Sequence, residues 1–387
     1  MVAACLSFAS YGAISGAIGP NLPELAAHTG SSLAAIGSVL TALYLGAILA
    51  LLASGPAFDR LGQYPVLLTG AALLGLGVIG LTLGHSLAVV WVCAFITGLG
   101  HGAMDLSGNL LIAEVFANRR AAAVSLLNVF FGMGAVLGPL TASITLKLWN
   151  TAVPALWLGG GLMLLQLLLI PRTAVVPRPA LGGLHPAHEA RSLRGLLGAP
   201  IFWTLGLLTL TYVGVENGMS SWTTVYLART TASTASAGAL ASAGFWLAMS
   251  AGRLVSAGVG TRVPAKIMLL TTLAGALAAS LLLLATVGDA SLTVAAVLLT
   301  GLFYGPVFPI VFSETTATFR GLAGTAGSLV AALGSTGAAL LPWLQGILFE
   351  KVGASTSIAL IVAGAGVMLA LFGGYRLAAR RATVVAV

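Results

Sequence analysis

Long apolar runs separated by short polar turns make up most of the chain, and few polar positions interrupt them. A membrane-spanning helix needs about 20 mostly apolar residues, which is the length of these runs. The pattern predicts twelve spans near 3–25, 34–55, 65–83, 88–116, 121–147, 151–171, 200–227, 236–259, 266–286, 290–315, 321–349 and 353–376. The first run lacks a small-residue cleavage site after it, so we interpret it as a retained helix; a cleavable signal peptide is the alternative.

Composition excludes a soluble globular protein. The 387 residues are 58% hydrophobic and only 7% charged, whereas about a quarter of a soluble domain is charged. We therefore expect an all-α integral membrane protein. Cys5 and Cys93 fall inside predicted spans and form no disulfide or metal pattern, so we interpret them as small buried residues.

The basic residues indicate an orientation. Among the 17 Lys and Arg residues, only Lys147, Arg229 and Lys351 fall in the loops of one predicted side, and the other side carries the rest. Cytoplasmic loops are enriched in Lys and Arg, which predicts a multi-pass protein of the cell membrane with both termini in the cytoplasm. The net charge of +8 would then face anionic lipid, so the bilayer is the expected partner and nucleic acid is not. We expect a monomer and no cofactor.

The fourth span carries an acid, Asp105, and an amide one turn later, Asn109. An acid near the bilayer centre costs several kcal/mol, which makes it a candidate for function. Residues four apart share a helix face, so both can meet one bound molecule or one neighbouring helix. A neutral Asp105 that donates one hydrogen bond to span 1 or span 2 is the alternative.

Other polar and aromatic side chains lie deep in the predicted spans. Carboxylates and amides can pair with the hydroxyls of a sugar while aromatic rings stack on its apolar faces. The candidate substrate-binding residues are Asp105, Asn109, Asn128, Tyr212, Glu216, Asn217, Trp222, Trp246 and Tyr304, with Asp105 and Glu216 as candidates for proton coupling. Two simpler interpretations remain open: Glu216 ties helices together, or Trp222 belongs to an interfacial aromatic belt.

Internal repetition predicts two halves. The string GLGHG at Gly98–Gly102 recurs as GLFYG at Gly301–Gly305, and GAVLGP at Gly134–Pro139 recurs as GAALLP at Gly337–Pro342. Both repeats have the same offset of 203 residues, although such short strings can also reflect shared helix packing. The division is an N-terminal six-helix half at 1–171, a cytoplasmic linker at 172–199 and a C-terminal six-helix half at 200–387. A metal site at His185, His188 and Glu189 is less favoured than a solvated linker.

The loop GPAFDRLGQYP contains Gly55, Asp59, Arg60 and Gly62 in the pattern G-x-x-x-D-R-x-G. It resembles the signature loop of the major facilitator superfamily, except that Gln63 and Tyr64 stand where two basic residues are usual. The resemblance implies twelve transmembrane helices in two pseudo-symmetric halves that rock around a central site. The residues expected at the cytoplasmic gate are Asp59, Arg60, Glu114, Arg119, Arg120, Arg253, Glu314 and Arg320.

Four strings narrow the resemblance: GxGHGxxDxxxN, FFGMGAVLGP, YVGVExGxxxW and GFWLAMSAGRL. Together they are similar to the fucose permease branch, the fucose-galactose-glucose:proton symporters. In that branch the span 4 acid is associated with proton coupling and sugar binding, a role that falls on Asp105 here. Two departures are visible: span 1 has no acid, and Asn128 stands where relatives often have histidine.

These observations favour a secondary active transporter that takes up a monosaccharide or similar small polar solute together with protons. A proton-driven exporter of amphipathic compounds and an uncoupled facilitative carrier are the alternatives, because one fold serves both directions. The sequence has no metal box, phosphate-binding loop or nucleophile with a positioned base, so we do not expect an enzyme.

Overall fold

The computed structural model describes residues 2–61, 63–115, 120–169, 193–260, 262–319 and 322–385, and these form a helical bundle. Because a helix satisfies its own backbone hydrogen bonds, it is the form that apolar runs adopt in lipid. The helices are α1 (Val2–Thr29), α2 (Leu33–Leu61), α3 (Gln63–Leu83), α4 (Leu87–Val115), α5 (Arg120–Trp149), α6 (Val153–Leu169), α7 (Pro200–Thr230), α8 (Ala235–Val259), α9 (Ala265–Ala285), α10 (Ala290–Tyr304), α11 (Val307–Thr318), α12 (Ala323–Lys351) and α13 (Ala354–Val385).

Eight stretches of the described helices are long and apolar enough to cross a membrane on length and composition alone. One of them, Ala290–Thr318, contains both α10 and α11. The helices α1, α7 and α8 pack into the same bundle, and α6 contributes a shorter apolar stretch, Val153–Leu167. The bundle therefore corresponds to the twelve predicted spans, with span 10 divided into two helices.

Two predicted helix ends were wrong. The first span extends beyond its predicted end near residue 25, because α1 continues through Pro20 and Pro23 to Thr29. Gly30, with a φ of 61°, ends it instead, and glycine accepts this left-handed conformation at little cost. Span 10 breaks between Tyr304 and Val307, where Pro306 cannot donate a backbone hydrogen bond.

The repeated glycines occupy equivalent helix crossings. An added Cβ on Gly98 of α4 would overlap the carbonyl oxygen of Leu43 in α2, and one on Gly301 of α10 would collide with that of Phe245 in α8. Gly134 meets α1 at Ala9 in the same way that Gly337 meets α7 at Leu210. The repeat therefore preserves positions where two helix backbones approach closely.

One end of the bundle is held together across the two groups of helices, α1–α6 and α7–α13. There Thr41 of α2 donates to the carbonyl of Ala339 in α12 at 2.7 Å, and Ser143 of α5 donates to that of Ser236 in α8 at 2.8 Å. We call this the closed end; it carries the loops around residues 30–32, 150–152 and 231–234.

The opposite end, which we call the open end, has exposed apolar residues on α2 and α8. Leu254 lies about five helical turns from Ser236 on the same face of α8, yet it is 68% exposed. Leu52 lies about three turns from Thr41 on α2 and is 65% exposed. Apolar side chains in line with the closed-end contacts are therefore exposed at the open end.

Candidate functional site

Asp105 and Asn109 lie on one face of α4, between the two groups of helices. Asn109 Nδ2 donates to the carboxylate Oδ1 of Asp105 at 3.0 Å and to the Asp105 carbonyl at 2.8 Å. Both residues are partly exposed, while Asn109 Oδ1 is buried and lacks a hydrogen-bond partner among the described residues. The acid is therefore held by an amide and remains partly exposed.

An aromatic cluster surrounds the same face of α4 one turn toward the closed end. His101 Nε2 and the hydroxyl of Tyr11 share a hydrogen bond of 2.6 Å. The His101 ring packs edge-on against Tyr11, with centroids 4.6 Å apart, and against Tyr44 at 5.8 Å. Residues from α1, α2 and α4 thus converge on the imidazole.

Glu216 of α7 faces Arg253 of α8 in the second group. Arg253 Nη2 lies 3.9 Å from Glu216 Oε1, and Arg253 Nε donates to the carbonyl of Gly305 at 3.3 Å. Glu216 is only 7% exposed, so its carboxylate needs a nearby cation or hydrogen-bond donors. In this structure Arg253, a residue predicted for the cytoplasmic gate, therefore pairs with the buried acid.

Tyr212 and Tyr304 extend this second cluster. Their rings pack edge-on with centroids 5.8 Å apart, and both are fully buried. Neither hydroxyl has a hydrogen-bond partner among the described residues, although Tyr212 lies close enough to Glu216 and Arg253 for electrostatic interaction. Buried hydroxyls normally have a partner, and the polar groups near these two are Glu216 and Arg253 for Tyr212 and Ser280 for Tyr304.

Hydrogen bonds and aromatic packing connect the helices on the closed-end side of these clusters. The Tyr44 hydroxyl donates to Asn217 Oδ1 and so joins α2 to α7. Trp246 Nε1 donates to Ser220 Oγ at 3.0 Å, and its ring meets Phe131 of α5 edge-on at 6.2 Å. Asn217 and Trp246 therefore connect the helix groups at the closed-end side of the site.

Trp222 does not line a space that a solute can reach in this structure. It is 1% exposed, stacks on Phe349 with centroids 6.0 Å apart, and donates through Nε1 to the Pro342 carbonyl at 2.8 Å. Gly37 of α2 and Gly346 of α12 lie against its ring. In this structure Trp222 therefore packs between α2, α7 and α12, and its stacking on a solute stays a prediction.

The remaining candidate residues are spread over the open end. Asn128 is exposed on α5, one turn from Gly132, which faces Ser250 of α8. Glu314 accepts a hydrogen bond from the Tyr375 hydroxyl, and Lys266 Nζ lies 5.8 Å from the centre of the Tyr375 ring. The side chains of Asp59, Arg60, Glu114 and Arg120, and all of Arg119 and Arg320, lie outside the described residues.

Sequence reasoning overlooked His101, Tyr11 and Tyr44, which form the cluster beside Asp105. Two signals could have identified His101. It precedes Asp105 by one helical turn on the same face, and it lies at the offset of the repeat from Tyr304. The pairs Tyr11–His101 and Tyr212–Tyr304 accordingly occupy corresponding places in the two groups.

Two packed groups of helices with buried acids and amides between them define a membrane carrier of small molecules. The sequence profile of the Major Facilitator Superfamily matches residues 3–342. The chain belongs to this superfamily and is a multi-pass membrane protein.

Similarity to individual members is low. The chain is 25% identical over 149 residues to the rat (Rattus norvegicus) protein named sodium-dependent glucose transporter 1, covering 38% of this chain and 30% of that protein. It is 25% identical over 243 residues to the TsgA homolog of Citrobacter koseri, covering 62% of this chain and 61% of that protein. The matches thus span less than two thirds of these relatives.

A solved structure shows the same fold. The E. coli fucose:proton symporter FucP superimposes with a TM-score of 0.68 over 97% of this chain and 98% of that chain, at 17% identity. At this identity the likeness establishes the fold alone.

Proposed function

We propose that the protein is a proton-coupled importer of a monosaccharide or similar small polar solute and works by alternating access. The observation that carries the proposal is the pairing of Asp105 with Asn109 on a face that borders the space between the helix groups. A carboxylate and an amide offer both acceptors and donors to the hydroxyls of a sugar.

The charges of the site support Asp105 as the coupling residue. Glu216 has a cation, Arg253, at 3.9 Å, whereas the described residues give Asp105 only an amide. A proton on Asp105 would therefore leave the site neutral, with one acid and one base still paired. Solute binding would favour the neutral site, and release of the proton on the other side would promote release of the solute.

The solute would lie between the two clusters. In this proposal Asp105 and Asn109 bind it from the first group, and Glu216, Tyr212 and Tyr304 contact it from the second, once the helices have moved enough to expose the two buried tyrosines. The partners are thus a polar solute and protons. The names of two relatives, a sodium-dependent glucose transporter and a fucose:proton symporter, support a sugar.

The orientation and division of the chain are part of the same proposal. Residues 1–171 and 200–387 form the two halves, 172–199 form a linker, and both termini lie in the cytoplasm. The open end then faces the cytoplasm, so the structure corresponds to a state from which solute leaves inward. The arginines at this end, with Asp59, Glu114 and Glu314, would form the gate when it closes.

Purified protein in a thermal-shift screen would identify the solute class, because a ligand that binds only the folded state raises Tm. We expect fucose, galactose, glucose or xylose to raise Tm, and amphipathic drugs to leave it unchanged. A rise with the drugs alone would favour the exporter.

Proteoliposomes loaded at neutral pH and placed in acidic buffer would test coupling. The proposal predicts accumulation above equilibrium that a protonophore abolishes. Equal rates with and without the pH gradient would identify an uncoupled carrier, and accumulation that follows a sodium gradient would replace the proton with sodium.

A further inference from the structure

His101 separates two environments within the first group of helices. Toward the open end lies Asp105, one turn along the same face of α4. Toward the closed end lies a cavity of about 20 Å³, which is room for about one water molecule. Its polar lining residues are Ser15, Tyr44, Thr97, His101, Asn217, Ser220 and Ser221.

The cavity is situated where a proton from the closed end would arrive. Its lining on α1, α2, α4 and α7 lies on the closed-end side of Tyr11 and Asp105, as the positions of Ser15, Thr97 and Ser221 along their helices show. Hydroxyl and amide groups can hold a water there and align it with the imidazole.

The ring is hydrogen-bonded to a hydroxyl that lies close enough to Asp105 to interact with it electrostatically. Nε2 shares a hydrogen bond of 2.6 Å with the Tyr11 hydroxyl, and Tyr11 interacts electrostatically with both Asp105 and Tyr44. The ionisable groups around the imidazole are Tyr11 on α1, Tyr44 on α2 and Asp105 on α4, with Glu216 of α7 beyond Tyr44; α3 supplies the apolar Leu74.

The corresponding position in the second group shows that packing alone does not require histidine. Tyr304 packs on Tyr212 there much as His101 packs on Tyr11. Imidazole has two ring nitrogens, so it can accept a proton at one while it releases a proton from the other. The first group therefore has a histidine, which suits a proton relay, where the second group has Tyr304.

We infer that His101 carries protons between the closed-end cavity and Asp105, so that it sets the rate of coupling without binding the solute. The inference rests on the proposed function. A proton from cavity water adds to one ring nitrogen and gives the imidazolium ion. The proton on the other nitrogen then leaves toward the Asp105 carboxylate through the Tyr11 hydroxyl, which passes on its own proton, and neutral imidazole and neutral carboxylic acid result.

The test compares His101→Gln with the wild type and with His85→Gln, since His85 is exposed in the loop between α3 and α4. Glutamine keeps a hydrogen-bonding group beside Tyr11 but does not titrate. Proteoliposomes would contain a trapped pH dye, and the probe would be whichever of fucose, galactose, glucose and xylose raises Tm most. Sugar counterflow and sugar-driven proton entry would be measured from pH 5.5 to 8.

We expect His101→Gln to slow sugar-driven proton entry about tenfold while counterflow stays within about twofold of wild type, and His85→Gln to change neither. An equal loss of both activities would make His101 a binding or structural residue, and unchanged activities would show that protons bypass it; either result overturns the inference. If the wild type itself moves no protons with sugar, the proposed coupling fails, which is a different outcome from the failure of His101 alone.

Discussion

Arg253 Nη2 lies 3.9 Å from Glu216 Oε1, so the second group of helices contains a compensated pair of charges where the first contains an acid held by an amide. Removal of one partner of a buried pair leaves the other charge without compensation, which is more harmful than removal of both. We therefore expect mutations of Glu216, which has a charged partner, and of Asp105, which has an amide partner, to have different effects.

We expect Glu216→Gln and Arg253→Gln each to lower Tm and transport, and the double variant to recover part of both. The measurement is a double-mutant cycle on Tm and on sugar counterflow. Additive losses would show that the two side chains act independently, in which case the pair would not account for the burial of Glu216.

Trp222 should control the stability of the closed end. Replacement of a buried Trp by Ala typically costs about 3–5 kcal/mol, and Trp222→Ala would also remove the bond to the Pro342 carbonyl. We expect a lower Tm and faster labelling of a Ser15→Cys reporter by an impermeant maleimide, in a background without Cys5 and Cys93. An unchanged Tm with weaker sugar binding would instead return Trp222 to the solute site.

Glu350 joins the two groups at the closed end and was not among the sequence candidates. Its Oε2 accepts a hydrogen bond from the backbone N–H of Ala34, at the start of α2, at 2.6 Å. A carboxylate there also interacts favourably with the positive end of the α2 dipole. Glu350→Ala should increase labelling of the Ser15→Cys reporter severalfold, and Glu350→Gln should do so less because it keeps an acceptor.

Identical labelling of the wild type and both Glu350 variants would show that this contact does not influence closure. Activity in counterflow serves as the control for folding, since Glu350 lies at the end of α12, away from the polar clusters.

The repeated glycines should be equivalent in their energetic role. We expect Gly98→Ala and Gly301→Ala both to destabilise the protein, because the new methyl group would overlap a backbone carbonyl of the adjacent helix. Gly161 in α6 has open space around it, so Gly161→Ala should be neutral or stabilising by up to about 1 kcal/mol. Thermal unfolding of the three variants decides this, and a destabilised Gly161→Ala would argue against close approach as the cause.

The helices and the similarity between the two groups could be predicted from the sequence, because the apolar runs and the Gly98/Gly301 repeat can be read directly from the order of residues. It also placed Asp105 beside Asn109, since four residues make about one helical turn. It could not pair Glu216 with Arg253, because the contact depends on how α7 packs against α8. Trp222 was ambiguous for a similar reason: tryptophan suits a binding site, a lipid interface and a packed core, and only its neighbours distinguish them.

The most direct test of the account is Asp105→Asn in proteoliposomes, assayed for proton-driven accumulation and for counterflow of the sugar that raises Tm. Asparagine keeps the size and hydrogen bonding of the side chain but cannot gain or lose the proton. We predict that proton-driven accumulation is absent at every pH tested, while counterflow remains. Full accumulation by Asp105→Asn would contradict the account, because protons would then be coupled through another group.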